Sequence, residues 1–479
     1  MKPANFRGQR ITVFGLHSSG VAVAKLLDDL GADVQVTDSK PANELQSEVQ
    51  ALKDRAIRFI LGGHDNRCIE SVDLMVVSPG VPLDIPVLKA ARALSIPIIG
   101  ELEVAASVCP AQMVAITGTK GKSTTTLLIA EILKQSRKFP LVCTSGNIGV
   151  PLSNNVQRLT EKDIVVLEAS SFQLETTTLF QPAVSAVLNF TRDHLDRHKT
   201  VKAYRDAKLK VCANQSPTDW VVLNADDPVV ANFSGHTAAT PVYFTEDAAT
   251  MRSGAYTSTK EAEEHLVVMG SENEILARQN GALNWICDVT DISMVGRHNV
   301  RNVLAATAVA RILNVSCEQI RSAICQFSPK EHDALEHTLE PVGTVRGVRI
   351  VNDSKATNVD AVRAAIEAIS DPLLLIMGGY DKGNDYTPLI DLVKSKVKAL
   401  ILLGKHTGRI RNALGSHVVT WDAMTMNRAV EVAYSHAVPG DVILLSPANA
   451  SFDMFDDYKA RGCAFREAAI KLETMGSMD

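Results

Sequence analysis

Residues 114–126 combine glycines, lysines and hydroxyl side chains in the order Val-Ala-Ile-Thr-Gly-Thr-Lys-Gly-Lys-Ser-Thr-Thr-Thr. This order indicates a buried strand that breaks into a glycine turn and opens a helix. In such a turn the backbone N–H groups, the positive helix end, the Lys122 ammonium and the Ser123 hydroxyl converge on a polyphosphate and its Mg²⁺. The residues therefore predict a phosphate-binding segment, which we call the phosphate loop (residues 117–124).

The spacing of the glycines departs from the usual P-loop pattern, G-x-x-x-x-G-K-[ST]. Counting back from Gly121, Ile116 stands where the first glycine belongs, and Gly118 follows two residues late. The alternative is an ordinary strand-to-helix turn with a solvated lysine. We favour a P-loop variant because strand, glycines, lysine, serine and helix all occur in order.

An acidic residue stands where a metal ion bound to that phosphate would lie. Glu168 follows Asp163-Ile-Val-Val-Leu and therefore ends a predicted strand, the place where open α/β sheets bind ligands. A carboxylate there can hold Mg²⁺, which neutralises charge on a transferred phosphoryl group. The alternative is a helix cap or a surface acid.

The segment Asn189-Phe-Thr-Arg-Asp-His-Leu-Asp196 follows another predicted strand. His194, with Asp193 and Asp196 beside it, offers groups that bind metal or phosphate. The spacing leaves open which of them face a site. By residue type and position alone, Lys208 in Tyr-Arg-Asp-Ala-Lys-Leu-Lys is a solvated helix lysine.

The first strand-to-helix turn is Gly15-Leu-His-Ser-Ser-Gly20, where dinucleotide-binding folds place their glycines. Asp38 ends the next predicted strand, as a ribose-binding acid would. His17 occupies the place of the middle glycine, which removes the closest backbone approach to a pyrophosphate. An ordinary NAD site is therefore disfavoured, while a related nucleotide and a plain tight turn both stay open.

Three loops in the last third of the chain also follow predicted strands and carry small and polar residues. Together they predict a substrate pocket, although any one alone could be a well-capped turn. The loops are Val351-Asn-Asp-Ser-Lys-Ala-Thr-Asn358, Met377-Gly-Gly-Tyr-Asp-Lys-Gly383 and Leu445-Ser-Pro-Ala-Asn-Ala-Ser451.

Strand–turn–helix units must position these residues, and the chain alternates short apolar runs with helical patterns almost throughout. This alternation predicts an α/β fold with mostly parallel sheets. We predict three domains: a Rossmann-like domain at 1–101, a central P-loop ATPase-type domain at 102–329 and a Rossmann-like domain at 330–479. Alternating apolar residues among Thr, Ser and Gly from Pro241 to Asp291 predict hairpins added to the central sheet.

The composition is that of a globular enzyme, with 46% hydrophobic and 22% charged residues among 479. A net charge of -5 gives no field that would gather nucleic acid. Eight cysteines without a C-x-x-C pair indicate reduced thiols in a cytoplasmic protein. No apolar run is long enough to span a bilayer, so we expect no transmembrane segment, and we expect a monomer.

Taken together, the motifs resemble those of the ATP-dependent Mur ligases over essentially the whole chain. The general part is Thr117-Gly-Thr-Lys-Gly-Lys-Ser-Thr124, which folylpolyglutamate synthases share. The specific part is Asn352-Asp-Ser-Lys-Ala-Thr-Asn358, typical of members that add D-glutamate to UDP-N-acetylmuramoyl-L-alanine. Further matches are Ser78-Pro-Gly-Val81, Ser145-Gly-Asn-Ile-Gly149, Glu168-Ala-Ser-Ser-Phe-Gln-Leu-Glu175, Asp193-His-Leu-Asp-Arg197 and Gly296-Arg-His-Asn-Val-Arg-Asn302.

The resemblance implies peptidoglycan precursor synthesis through an acyl phosphate, with ATP and two Mg²⁺ ions as cofactors. It implies catalytic roles for Lys122, His194 and Lys208. Metal ligands would be Ser123, Glu168, His194 and, once carbamylated, Lys208. ATP would be bound by Gly118, Thr119, Lys120, Gly121, Lys122, Ser123, Thr124, Asn299, Asn302 and Asp353. The UDP substrate would contact Leu16, Ser18, Asp38, Ser39, Ser78, Gly80, Asn147 and Ser170, and D-glutamate would contact Lys355, Thr357, Lys382, Ser451 and Phe452.

One departure concerns the entry to the third domain, where the family usually has His-Arg-x-Glu and this chain has His332-Asp-Ala-Leu-Glu336. Asp333 would repel nucleotide phosphates, so either it turns away or a cation such as Lys330 substitutes. Competing functions are a sister Mur ligase, a folylpolyglutamate synthase, or a nucleotide-sugar sensor that has lost turnover. Phosphate release with different amino acids distinguishes the ligases, and amide formation excludes the sensor.

Overall fold

The computed structural model describes residues 5–247, 266–279, 281–294, 296–381 and 383–476. Twenty strands in these ranges form sheets of five, nine and six strands, with helices between many of the successive strands. Most strand pairings are parallel, as expected where helices cross over between neighbouring strands. The predicted α/β fold class is confirmed.

The first sheet is wholly parallel, with the order β3-β2-β1-β4-β5. Because strands are added on one side of β1 and then on the other, the loops after β1 and β4 border a crevice at the carboxyl edge. The strands are β1 (Arg10–Phe14), β2 (Asp33–Asp38), β3 (Arg58–Leu61), β4 (Leu74–Val77) and β5 (Ile98–Gly100). The helices are α1 (Ser18–Asp29), α2 (Gln46–Leu52) and α3 (Pro86–Ala93).

The second sheet has the order β14-β13-β12-β11-β10-β9-β6-β8-β7. Its strands are β6 (Gln112–Thr117), β7 (Val142–Gly146), β8 (Ile164–Glu168), β9 (Val184–Val187), β10 (Trp220–Asn224), β11 (Thr240–Thr245), β12 (Val267–Met269), β13 (Glu274–Gln279) and β14 (Ala282–Asp288). Its helices are α4 (Glu101–Val108), α5 (Lys122–Ser136), α6 (Ser171–Leu174), α7 (Leu195–His198), α8 (Val201–Leu209), α9 (Pro228–Ala231), α10 (Arg297–Ile312) and α11 (Cys317–Gln326).

Strand β6 lies between β8 and β9, and this placement brings the chemistry together. Ile116 pairs with Glu168, and Thr117 pairs with Val187. All three strands are parallel, so their carboxyl ends meet at one edge of the sheet. The phosphate loop therefore emerges between Glu168 and the segment that starts at Leu188.

The predicted hairpins are confirmed where β12, β13 and β14 pair antiparallel. Thr240–Thr245, also inside the predicted hairpin region, instead continues the parallel sheet beside β10. The rest of that prediction, at 248–265 and 280, lies outside the described residues.

The third sheet has the order β15-β16-β20-β17-β18-β19, and β15 alone is antiparallel to its neighbour. Its strands are β15 (Glu340–Val345), β16 (Val348–Asn352), β17 (Leu373–Gly378), β18 (Val397–Leu403), β19 (Val419–Ala423) and β20 (Val442–Ala448). Its helices are α12 (Val359–Ala368), α13 (Ile390–Lys396), α14 (Gly408–Leu414), α15 (Met426–Ser435) and α16 (Tyr458–Gly476).

The chain folds as two compact units, one of residues 1–292 and 301–327, the other of 293–300 and 328–479. The first unit contains the first two sheets. One hydrophobic cluster, from Phe6 to Val268, includes buried side chains of both sheets, and another, from Phe14 to Ala91, belongs to the first sheet. The second unit contains the third sheet, with a cluster on each face. Each sheet falls inside one predicted domain range, and the exact boundaries remain predictions.

Helix α4 fastens the first sheet to the second through two buried carboxylates. Glu101 Oε1 accepts hydrogen bonds from the backbone N–H and the hydroxyl of Ser153, at 2.9 and 2.7 Å. Glu103 accepts from the backbone N–H groups of Thr178 and Leu179. Burial raises the pKa of Glu101, whose second oxygen has no hydrogen-bond partner.

Candidate active site

The phosphate loop runs from the end of β6 to the first turn of α5 and is packed closely on both sides. Gly118 and Gly121 have φ angles of +152° and +83°, which L side chains rarely adopt. A Cβ on Gly121 would lie 2.2 Å from Asn302 Oδ1, and a Cβ on Gly118 would lie 3.0 Å from Leu188 Cβ. Only glycine fits both positions, so these two glycines are essential to the loop's path.

Lys122 folds back over the loop that it follows. Its ammonium donates to the backbone carbonyls of Gly118 and Thr119, both at 3.0 Å. The cation therefore lies on the loop, beside the first turn of α5, whose leading N–H groups have no acceptor within a helix. This is the arrangement that a polyphosphate binding at the helix end requires.

Ser123, Glu168 and Asn147 form one hydrogen-bonded group beside the loop. The Ser123 hydroxyl donates to Glu168 Oε2 at 2.7 Å, and Asn147 Nδ2 donates to Glu168 Oε1 at 2.8 Å. Glu168 is buried, so its charge needs such partners. A carboxylate, a hydroxyl and an amide are hard oxygen donors, and this donor chemistry fits Mg²⁺. Asn147, predicted to contact the UDP substrate, is thus hydrogen-bonded to Glu168, the predicted metal ligand.

Lys208 is fully buried behind the loop. Its Nζ donates to the Gly118 carbonyl at 2.6 Å and lies 4.8 Å from the centre of the Tyr204 ring. Burial, aided by the positive charge of Lys122, lowers the pKa of Lys208 well below the ordinary lysine value. Lys208, which its sequence position predicted to be solvated, is therefore a buried amine at the phosphate loop.

His194 occupies a left-handed backbone position with φ of +52°, and its side chain is about half exposed. Its ring packs against Phe172 at 4.9 Å, and its Nε2 lies 3.9 Å from Asp193 Oδ2. The same carboxylate lies 3.7 Å from Lys120 Nζ. In the described part of the chain, no three His, Cys, Asp or Glu side chains are grouped so that they could hold a metal ion. His194 and Glu168 are thus not joined in such a group.

Two of the loop's own N–H groups are already engaged. Asn189 Oδ1 accepts from Thr119 N at 3.1 Å and from Lys120 N at 2.8 Å. Thr119 and Lys120, both predicted to bind ATP, thus direct these N–H groups at Asn189. Gly121, Ser123 and Thr124 lie at the start of α5, where the leading N–H groups face away from the helix.

The predicted base and ribose contacts fall on α10. Asn302 is buried, with its side chain against Gly121, and Asn299 precedes it by about one turn. The third predicted nucleotide contact, Asp353, is in the second unit. Its carboxylate accepts from the Ser446 hydroxyl at 2.8 Å and from Leu339 N at 3.1 Å.

Predicted UDP contacts gather at the crevice of the first sheet. Asp38 accepts from the N–H groups of Leu16 at 2.7 Å and Lys40 at 2.9 Å, so it shapes the turn after β1. The Ser78 hydroxyl donates to the Gly15 carbonyl at 2.8 Å, tying the loops after β1 and β4 together. Four more predicted positions are exposed or half-buried: Ser18, Ser39 and Gly80 in this sheet, and Ser170, which caps α6.

The predicted D-glutamate residues lie in the second unit. Ser451 is buried, Lys355 is half-buried and Thr357 is exposed. The side chain of Phe452 is 68% exposed and so packs against little. Lys382 lies outside the described residues.

Helix α16 supplies a residue that the sequence patterns did not reveal. The buried guanidinium of Arg461 donates to Ser354 Oγ, Ser354 O and Asn449 O, at 2.8 to 3.0 Å. It therefore joins the loop after β16 to the loop after β20. The signal in the sequence, an arginine in an ordinary amphipathic helix, is too common to single it out.

A second His-and-Glu pair lies five residues after His332. His332 and Glu336 stand four residues apart, whereas His337-Thr-Leu-Glu340 has the family's spacing of three. His337 Nδ1 lies 3.4 Å from Glu340 Oε2, and the His337 ring is buried against Asn352. Asp333 is exposed and lies in the turn before this pair, and its predicted place at the family's arginine position stays a prediction.

Comparison with known proteins agrees with this geometry. Three family models match: the Mur ligase MurD-like N-terminal domain at 9–100, the Mur ligase middle domain at 116–310 and the Mur ligase glutamate ligase domain at 339–449. UDP-N-acetylmuramoylalanine–D-glutamate ligase of Koribacter versatilis is 42% identical over 97% of this chain and 98% of its own. The chain belongs to the Mur ligase family.

Other relatives of this Mur ligase extend the comparison. The protein of the same name from Thermoanaerobacter sp. is 38% identical over 97% of this chain and 99% of its own. A MurF ligase of Thermotoga maritima, solved in complex with ADP, shares the fold with a TM-score of 0.58, 14% identity and 99% coverage of both chains. A pseudomurein peptide ligase of Methanothermus fervidus has a TM-score of 0.58 and 19% identity, covering 97% of this chain and 100% of its own.

Hydropathy adds one negative finding about this Mur ligase. In the part of the chain that the structure describes, no helix is both long and apolar enough to cross a bilayer.

Proposed function

We propose that the chain joins D-glutamate to UDP-N-acetylmuramoyl-L-alanine in peptidoglycan precursor synthesis, forming an amide and converting ATP to ADP and phosphate. The observation that carries this proposal is the full-length similarity to ligases of that name, 42% identical in the first relative given above. The phosphate loop with its buried Glu168 and Lys208 supports the ATP half of the reaction.

The reaction needs two steps. The terminal carboxylate of UDP-N-acetylmuramoyl-L-alanine attacks the γ-phosphorus of ATP, which forms an acyl phosphate and releases ADP. The neutral amine of D-glutamate then attacks the acyl carbon, the nitrogen loses a proton, and phosphate leaves from the tetrahedral intermediate. The chain's part is to align these groups and to stabilise the charge that develops on them.

Lys122 and the first turn of α5 are suited to the phosphates of ATP. Lys122 lies over the loop, within reach of a phosphate seated on the helix end. Ser123 and Glu168 would hold Mg²⁺, which supplies charge neutralisation at the transferred phosphoryl group. His194 and a second ion are part of the proposal on the resemblance alone.

Lys208 is proposed to act as a carbamate. A neutral amine adds CO₂ to give R–NH–COO⁻ and a proton, and the lowered pKa of Lys208 raises the fraction of the neutral form that can react. The modification places an anion beside the Lys122 ammonium, which attracts a negative charge there and disfavours a protonated Lys208. It also adds oxygen atoms of the kind that Mg²⁺ prefers.

The two other substrates are assigned to the two remaining sheets. The crevice between β1 and β4, with Asp38 and Ser78, is proposed for the UDP group. The loops joined by Arg461, with Lys355 and Ser451, are proposed for D-glutamate. A cytoplasmic, monomeric enzyme acting on small molecules completes the proposal.

The test is a panel of amino acids with UDP-N-acetylmuramoyl-L-alanine, ATP and Mg²⁺. Phosphate release and the mass of the nucleotide product are measured together. We expect both signals with D-glutamate and neither with L-lysine or D-alanyl-D-alanine. Release with those compounds but not with D-glutamate would assign a sister ligase, and binding without product would assign a sensor.

A further inference from the structure

We propose that Asn189 is a positioning residue that holds the phosphate loop in its ATP-binding shape. One side chain makes three hydrogen bonds to two consecutive loop residues. Its Oδ1 accepts from the N–H groups of Thr119 and Lys120, and its Nδ2 donates to the Lys120 carbonyl at 3.0 Å. This inference deepens the function proposed above and rests on it.

The loop needs such support because its own conformation is unfavourable. The φ angles of Gly118 and Gly121 both lie in the region that glycine alone adopts readily, and glycine has the most backbone freedom to lose on ordering. The chain is fixed by β6 on one side and α5 on the other, but residues 119 and 120 between them belong to neither element. Asn189 bonds these two residues directly.

Asn189 is itself held at a fixed point. It follows β9, where Leu188 N donates to the Thr117 carbonyl at 3.0 Å and extends the pairing with β6. On its other side, Phe190 N donates to Asp227 Oδ2 at 2.6 Å. The residues before and after Asn189 are thus anchored, so its side chain is a rigid bracket for the loop.

Only an amide of this length serves all three bonds. Asparagine offers an acceptor and a donor on one planar group, whereas an aspartate has acceptors alone. An aspartate would face the Lys120 carbonyl without a proton and would add negative charge beside bound phosphates. Because the N–H groups of Thr119 and Lys120 are bonded to Asn189, the N–H groups at the start of α5 are the ones proposed to bind phosphate.

The test compares Asn189→Ala and Asn189→Asp with wild type and with Asn224→Ala as a matched control. The control removes a buried amide from the neighbouring strand, bonded to Leu188 but not to the loop. The readouts are the ADP dissociation constant by calorimetry in Mg²⁺, the KM of each substrate, and the Tm. We expect Asn189→Ala to raise the ADP dissociation constant and the KM for ATP about ten-fold each, which corresponds to about 1.4 kcal/mol.

We expect Asn189→Asp to weaken ADP binding further. The KM for D-glutamate should be unchanged in both variants. Asn224→Ala should lower the Tm yet keep the wild-type affinity for ADP. A folded Asn189→Ala protein with wild-type affinity for ADP would overturn the inference, as would an equal loss in Asn224→Ala. If Asn189→Ala does not fold, Asn189→Asp decides by the same criteria. If wild type binds ADP but forms no amide, the proposed function fails, and the comparison of ADP affinities still decides the role of Asn189.

Discussion

Replacing Arg461 with methionine tests the tie between the two loops proposed to bind D-glutamate. The substitution keeps an apolar stem in the core but removes the guanidinium, which leaves the Ser354 and Asn449 carbonyls without their donors. Each unsatisfied buried acceptor costs about 1–3 kcal/mol. For these two carbonyls we therefore expect the free energy of unfolding to fall by about 2–6 kcal/mol and the KM for D-glutamate to rise, with the KM for ATP unchanged.

Arg466 on the same helix is the matched control. It pairs with Glu340 at 2.8 Å, but its side chain is 34% exposed. Pairs near the surface contribute about 0–1 kcal/mol, so Arg466→Met should cost far less. The assay is urea unfolding followed by fluorescence or circular dichroism, with substrate kinetics on the folded variants. Equal losses in the two variants, or an unchanged KM for D-glutamate in Arg461→Met, would refute the reasoning.

Three further predictions follow from the first unit. Lys208→Ala should abolish amide formation. Because only the neutral amine is carbamylated, wild-type activity should fall as the pH is lowered and recover with added bicarbonate. The intact mass of the protein in bicarbonate measures the carbamate directly. Gly121→Ala should lose ATP binding, measured by calorimetry, because the new Cβ would lie 2.2 Å from Asn302 Oδ1 at a φ of +83°. Burial raises the pKa of Glu101 above its ordinary 4.5, so the folded state holds the proton and the carboxyl's contribution to stability is lost as the pH rises through the folded pKa. The free energy of unfolding of Glu101→Gln, measured in urea as the pH is raised above 4.5, should fall less than that of wild type.

The elements were predictable where the pattern is local. Continuous apolar runs such as Ile164-Val-Val-Leu167 predicted buried parallel strands, and the glycine turn before Lys122 predicted the start of α5. Two His-and-Glu pairs occur at the entry to the third sheet, and the sequence alone does not show that His337, of the second pair, is buried. The predicted placement of the family motif at His332 stays a prediction. The exposed strand β19, with few consecutive apolar residues, had no clear signal at all.

The site was predictable where a motif names its own ligand, as the phosphate loop does. Lys208 and Asn189 show the limit, because their roles depend on contacts with residues 90 and about 70 positions away. Lys208 lies on a helix four residues after Tyr204, and no local pattern shows whether a lysine at that position is buried or solvated. The parallel pairing of β6 with β9 brings Asn189 to the loop, and the packing of α8 brings Lys208 to it, so both contacts depend on the tertiary fold.

The central claim is amide formation from D-glutamate through an acyl phosphate, and isotope transfer tests it most directly. UDP-N-acetylmuramoyl-L-alanine labelled with ¹⁸O in its terminal carboxylate is incubated with ATP, Mg²⁺ and D-glutamate, and the phosphate and nucleotide products are analysed by mass spectrometry. We predict the D-glutamyl amide together with phosphate that carries one ¹⁸O atom from the carboxylate. Unlabelled phosphate, or no amide with D-glutamate, would contradict the account.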